Sequence, residues 1–188
     1  MSRSYRIRIR ESLRRVIRAA DHVSSQLELL EILPPQQMAE ILAAELLKGG
    51  FQRQGQHAVR KDKGTTVTVD LETGDVTVTA EGQEKVVLSQ EREARVFDDA
   101  GPRAKDVRKQ VGDKLRESLE SEASAKQAAL QKQVTDRLEG ELADIKQELD
   151  RAVNRATATA LKQKAAQMGH IKSLSEEPNG SLTIVVEV

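Results

Sequence analysis

After Pro102 the chain carries no proline until Pro178, and within that stretch its apolar residues return every three or four positions. Val134, Leu138, Leu142, Ile145, Leu149, Val153, Ala156 and Ala160 step by 4, 4, 3, 4, 4, 3 and 4. This is an eleven-residue repeat, about 3.67 residues per turn, close to the period of a straight α-helix. The spacing predicts a long helical region over 100–168, which as one rod would span on the order of 100 Å. Gly112, Gly140 and the run Glu120–Ala125 are its weak points. Each mid-helix glycine costs about 1 kcal/mol against alanine, too little to force a turn. A single rod and a hairpin folding back between Glu120 and Gly140 are both open. The stripe is narrow and alanine-rich, with charged flanks, so it buries one face against another element. That element is either part of the same chain or a partner helix. In the second case Leu138, Leu142, Ile145, Leu149 and Val153 are the candidate partner-binding residues, and the arm is a dimerisation or docking element.

The segments on either side read as strands. Tyr5, Ile7 and Ile9 alternate with Arg6, Arg8 and Arg10, the period of a half-buried strand. The alternation weakens through Leu13, Val16 and Ile17, a turn is expected at Ala19–His22, and Leu27–Ile32 suggests a returning strand with a bulge. Pro34-Pro35 opens a helix over 35–48 and Gly49-Gly50 ends it, with Phe51 expected to pack beneath. Met38, Ile41, Leu42, Glu45 and Leu46 form the stripe of that helix. Val67, Val69 and Leu71, a hairpin turn at Glu72–Asp75, and Val76, Val78 and Ala80 read as a strand pair. One or two further strands are expected around Val86–Leu88 and Val96-Phe97. Asp98–Pro102 marks a boundary, with Asp98 or Asp99 as helix cap. Gly169 ends the long helix, Ile171 and Leu174 begin an extended segment, 177–180 form a tight turn, and Leu182, Ile184, Val186 and Val188 form a last strand. A lone hairpin is marginal in water, so this strand should rejoin the first sheet or pair with another chain. The fold class is therefore α+β: an N-terminal antiparallel sheet with one short helix over 1–99, the long helical arm over 100–168, and a C-terminal strand or hairpin over 169–188 returning to the sheet.

Aromatic residues are only 2% of the chain, so the core must be aliphatic. Charge is unevenly placed. Residues 1–18 carry seven arginines against Glu11, a net of +6, and because the formal net charge is zero the remainder carries −6. Arg6, Arg8 and Arg10 share one strand face at a spacing of about 6.6–6.8 Å. Such a row can track phosphates, which makes a nucleic-acid-binding accessory role the alternative reading. Scarce aromatics weaken single-strand binding, and a solvated or acid-paired face meeting the acidic 70–99 segment is favoured, followed by an acidic protein partner.

Little in the chain points to catalysis. There is no cysteine, which removes disulfides and thiolate chemistry. His22, His57 and His170 lie far apart, and no Walker loop, His-x-x-x-His or Gly-x-Ser-x-Gly is present. Asp70, Glu72 and Asp75 crowd one turn without the ligand ladder of a calcium loop. No catalytic, cofactor-binding or metal-binding residue is assigned, and a non-enzymatic role is expected. No apolar run approaches the length of a membrane span, and a cytoplasmic location is expected.

Three segments carry a resemblance: Asp21–Leu30, the Phe97–Pro102 junction and the terminal Gly180–Val188 strand. The chain resembles a small group of bacterial accessory proteins of ternary systems, built around an FtsH- or MoxR-type AAA+ ATPase and a von Willebrand A domain. The resemblance implies an adaptor role with the ATPase or the von Willebrand A protein as partner, in a conflict-type setting, and it carries over no catalytic residue.

Overall fold

A computed structural model describes residues 4–97, 103–176 and 182–187. The elements are β1 (Ser4–Gln26), α1 (Pro35–Lys48), β2 (Gln52–Gln54), β3 (His57–Asp62), β4 (Thr65–Asp70), β5 (Asp75–Phe97), α2 (Ala104–Met168), β6 (His170–Glu176) and β7 (Leu182–Glu187). The class is α+β, with a five-stranded antiparallel sheet in the order β1-β5-β4-β3-β2 and a separate β6-β7 pair. The residues form two units, 1–20 with 81–135 and 21–80 with 136–188. Strands β1 and β5 and helix α2 contribute to both.

In the first unit, alternation decides what is buried. Ile7, Ile9, Ile17 and Ala19 of β1 and Val86, Leu88 and Val96 of β5 point inward, while Arg6, Arg8, Arg10, Glu91 and Glu93 are exposed. Helix α2 covers the inward face with Leu115, Leu119, Ala123, Leu130 and Val134. Ile7, Ile9, Val96 and Leu115 form one cluster, against which Val107 and Val111 pack. Fully burying such an aliphatic side chain stabilises by about 1.5–3 kcal/mol. Helix and strand approach closely at Gly82, where an added Cβ would lie 2.7 Å from Val134 Cγ2 and 3.1 Å from Leu130 Cδ1.

Strand β1 continues through Ala19–His22, where a turn was expected. The inward row Glu11, Leu13, Arg15 keeps the strand period although two of its members are charged, because α2 supplies their partners. Arg116 bonds Glu11 at 3.0 Å and Arg15 bonds Glu120 at 3.1 Å. Strand β5 is likewise continuous, where two or three shorter strands were expected.

In the second unit, β4 pairs with β5 from Thr65↔Ala80 to Val69↔Val76, and with β3 from Asp62↔Thr65 to His57↔Asp70. The two-residue β3–β4 turn holds Lys63 and Gly64 at φ of 43° and 87°, the positive pair that a right-twisted hairpin favours. Asp70 Oδ1 accepts the backbone N–H groups of Glu72 and Thr73, both at 2.9 Å, and Gly74 adopts φ +78° to complete the turn into β5. The expected strand over Leu27–Ile32 is absent. That segment lies on the turn instead: Leu27 N–H donates to the Gly74 carbonyl at 2.8 Å, and Leu29 packs where a Gly74 Cβ would be.

Helix α1 has the bounds its prolines and glycines dictate, with Pro34 as N-cap and Gly49 as C-cap. Phe51 is buried as expected. Helix α2 is uninterrupted through Glu120–Ala125 and Gly140, so the hairpin alternative is excluded. Its final residues lead into β6, which pairs with β7 from His170↔Glu187 to Glu176↔Leu182. The last strand therefore finds its partner in β6 and does not return to the five-stranded sheet. The expected cap at Asp98 or Asp99 and the turn at 177–180 lie outside the described residues.

Candidate functional site

The arginine row is an acid-paired sheet face. Arg8 Nε and Nη2 donate to Glu91 Oε1 and Glu93 Oε1, each at 2.9 Å. Arg6 lies 3.9 Å from Glu93, and Arg10 Nε donates to Ser89 Oγ at 3.1 Å. The Arg8 guanidinium holds the Glu93 carboxyl below its ordinary range. All three arginines are exposed. Arg6 and Arg8 thus face carboxylates of the neighbouring strand, and Arg10 faces a hydroxyl. Further along the same face Arg14 and Arg18 flank Val16, which is 48% exposed.

The helical stripe is interior. Leu138, Ile145, Leu149 and Val153 are buried and Leu142 is half-buried. A hollow of about 310 Å³ is lined by Leu142, Ile145 and Leu149 together with Val23, Val76 and Val78 of β1 and β5. Leu142, Ile145 and Leu149 thus face strands of the chain's own sheet. The eleven-residue repeat serves that packing, because a helix of its natural period keeps one face on a sheet without supercoiling.

A polar group that the sequence reading did not assemble ties α1, α2 and β3 together in the second unit. Glu45 is only 6% exposed. Its carboxylate accepts Lys48 Nζ at 2.6 Å and Arg155 Nε at 3.0 Å. Burial pushes the Glu45 carboxyl up, but the hydrogen bonds from Lys48 and Arg155 outweigh it and hold the group below its ordinary value. Arg60 donates to Glu148 at 2.5 Å and to the Gly49 carbonyl at 3.1 Å, with its guanidinium 4.8 Å from the Phe51 ring centroid. The signal for the first pair was Glu45 itself, a carboxylate at a core position of the α1 stripe, which requires a cation to reach it. Nothing comparable marked Arg60 or Glu148.

The three histidines do not converge. His57 Nε2 lies 3.5 Å from Asp70 Oδ2, its cross-strand partner, and His57 is half exposed on an open sheet face. Asp70 is held below its ordinary value by the Thr73 and Glu72 backbone N–H groups, so it serves the turn. His22 and His170 are exposed. Among the described residues no group of three His, Asp or Glu is placed to hold a metal ion, and no helix is long and apolar enough to cross a membrane.

A family model described as FtsH ternary system domain X5 matches residues 1–188. No curated protein and no solved structure matches the chain.

Proposed function

The chain belongs to the FtsH ternary system domain X5 family, and on that premise we propose that it is a non-enzymatic adaptor or scaffold within such a system. It works through protein–protein contacts with the AAA+ ATPase or von Willebrand A component. The observation that carries the reading is the condition of the carboxylates. Glu40, Glu45, Asp70 and Glu93 are all held below their ordinary range by arginines, a lysine or backbone N–H groups. A general acid or base near neutral pH needs the opposite shift. These groups are engaged in local ion pairs and a turn, and the exposed faces around them are left to make contacts. The outer face of β1 at Arg14, Val16 and Arg18 suits an acidic partner surface with an apolar spot. The nucleic-acid alternative loses ground because Arg6, Arg8 and Arg10 already face Glu91, Glu93 and Ser89.

The test is reconstitution. Tagged full-length chain is mixed with the purified AAA+ ATPase and von Willebrand A protein of its own system and passed over a sizing column. Co-elution with one of them is expected, weakened by Arg14→Glu with Arg18→Glu. Separate elution from every component at physiological salt would overturn the reading.

A further inference from the structure

The β6-β7 pair is a two-stranded sheet of its own, hydrogen-bonded to no other strand among the described residues. By register, Ile171, Leu174, Leu182, Ile184 and Val186 share one face, and none of them is buried. The free edges of this pair differ. Strand β6 has a register shift between Ile171 and Ser173 and carries Lys172, two devices that discourage pairing. Strand β7 has neither, and from Leu182 to Val186 it reads Leu-Thr-Ile-Val-Val, without a charge. The edges of the larger sheet are guarded, since β1 alternates arginines and β2 is three polar residues long. Among the described residues, it is the stretch Leu182–Val186 of β7 that presents a regular, uncharged, strongly β-forming edge.

We propose that β7 pairs edge to edge with β7 of a second copy of this chain, antiparallel, about a two-fold axis at Val185. The occupant follows from the sequence of the strand. Antiparallel pairing about Val185 sets Ile184 against Val186 of the second copy, and Thr183 against Glu187. Aliphatic residues meet aliphatic residues, and the strand's only acid faces a hydroxyl instead of its own copy, avoiding the cost of like charges directly opposite. An uncharged edge offers a strongly acidic or basic partner nothing to recognise, whereas it is complementary to itself. The result is a four-stranded sheet whose apolar face is twice as large, past the size at which such sheets become stable. Gly169 fixes the pair to the end of α2: a Cβ there would overlap the Glu187 carbonyl.

The proposal is independent of the adaptor reading, since a dimer without system partners and a monomer with them are separate outcomes. Light scattering on the full chain should give twice its 20.8 kDa. Val185 is 45% exposed, so Val185→Lys leaves the single chain folded by circular dichroism but puts two lysines together at the axis. It should weaken the dimer at least tenfold. The chain has no cysteine, so Val185→Cys reports alone. Residues opposite each other lie about 4.5–5.5 Å apart between Cα atoms, within disulfide range. Mild oxidation should link Val185→Cys into covalent dimers and leave Thr183→Cys largely unlinked. A single-chain mass at all concentrations overturns the proposal, as does a dimer that V185K leaves intact or that V185C fails to link. If V185K disturbs folding, the V185C cross-link decides.

Discussion

Replacing Glu45 by glutamine tests whether the buried carboxylate holds α1 to α2. The change keeps size and one acceptor oxygen but removes the charge. Hydrogen bonds to charged groups contribute about 1.5–3 kcal/mol each, which as a simple sum over Lys48 and Arg155 overstates the loss. The side chains of Lys48 and Arg155 are 66% and 51% exposed. They regain water when released, and solvent already screens them. An expected cost of about 1–2 kcal/mol follows, or a fall of roughly 2–8 °C in Tm for a chain of this size. Urea unfolding at neutral pH measures it, and a cycle with Arg155→Gln should show coupling of about 0.5–1.5 kcal/mol. The pH dependence is the sharper readout. Glu45 is held below the ordinary glutamate value of 4.5 in the folded chain, so its contribution is complete above that value and fades as pH falls through the folded pKa. The gap between wild type and E45Q should therefore close in acid. An unchanged Tm at neutral pH, or a gap that stays constant well below pH 4.5, would refute the argument.

Gly82→Val drives a side chain into Val134 Cγ2 and Leu130 Cδ1, with Val134 fully buried. Thermal unfolding should show a loss of about 1–3 kcal/mol, partly restored by Val134→Ala. Arg6→Gln, Arg8→Gln and Arg10→Gln together should leave Tm nearly unchanged, because these side chains are exposed. The wild-type chain should also show no fluorescence-anisotropy change with single-stranded or duplex DNA at low salt. Strong binding, lost in the triple variant, would restore the phosphate-tracking reading.

Local stereochemistry made some elements legible. Pro34-Pro35 and Gly49-Gly50 bound α1, and the Glu72–Asp75 turn and the alternating valines of β4 and β5 read directly. The length of β1 did not, because Glu11 and Arg15 occupy inward positions where a pattern reader expects apolar residues. They are tolerated only because Arg116 and Glu120 arrive from more than a hundred positions away. Leu27, Leu29 and Ile32 misled in the opposite direction, since apolar residues covering a turn can mimic a strand. The stripe from Leu138 to Val153 was legible as a stripe, while its covering was not. Periodicity specifies that a face is buried and says nothing of whether the other surface belongs to the same molecule.

The pairing of β1 with the first half of α2 has a consequence for synthesis. Arg15 meets Glu120, 105 residues later, and at ~5–20 residues per second the ribosome takes about 5–20 s to supply the partner. Through that interval Ile7, Ile9 and Ile17 have no helix to cover them, and for most of it β5 is still incomplete. The same segment carries a net charge of +6 within its first eighteen residues, and strands so charged repel their own copies. The arginine row thereby keeps an early, unpartnered strand apart from its neighbours on a polysome until β5 brings the glutamates that neutralise it.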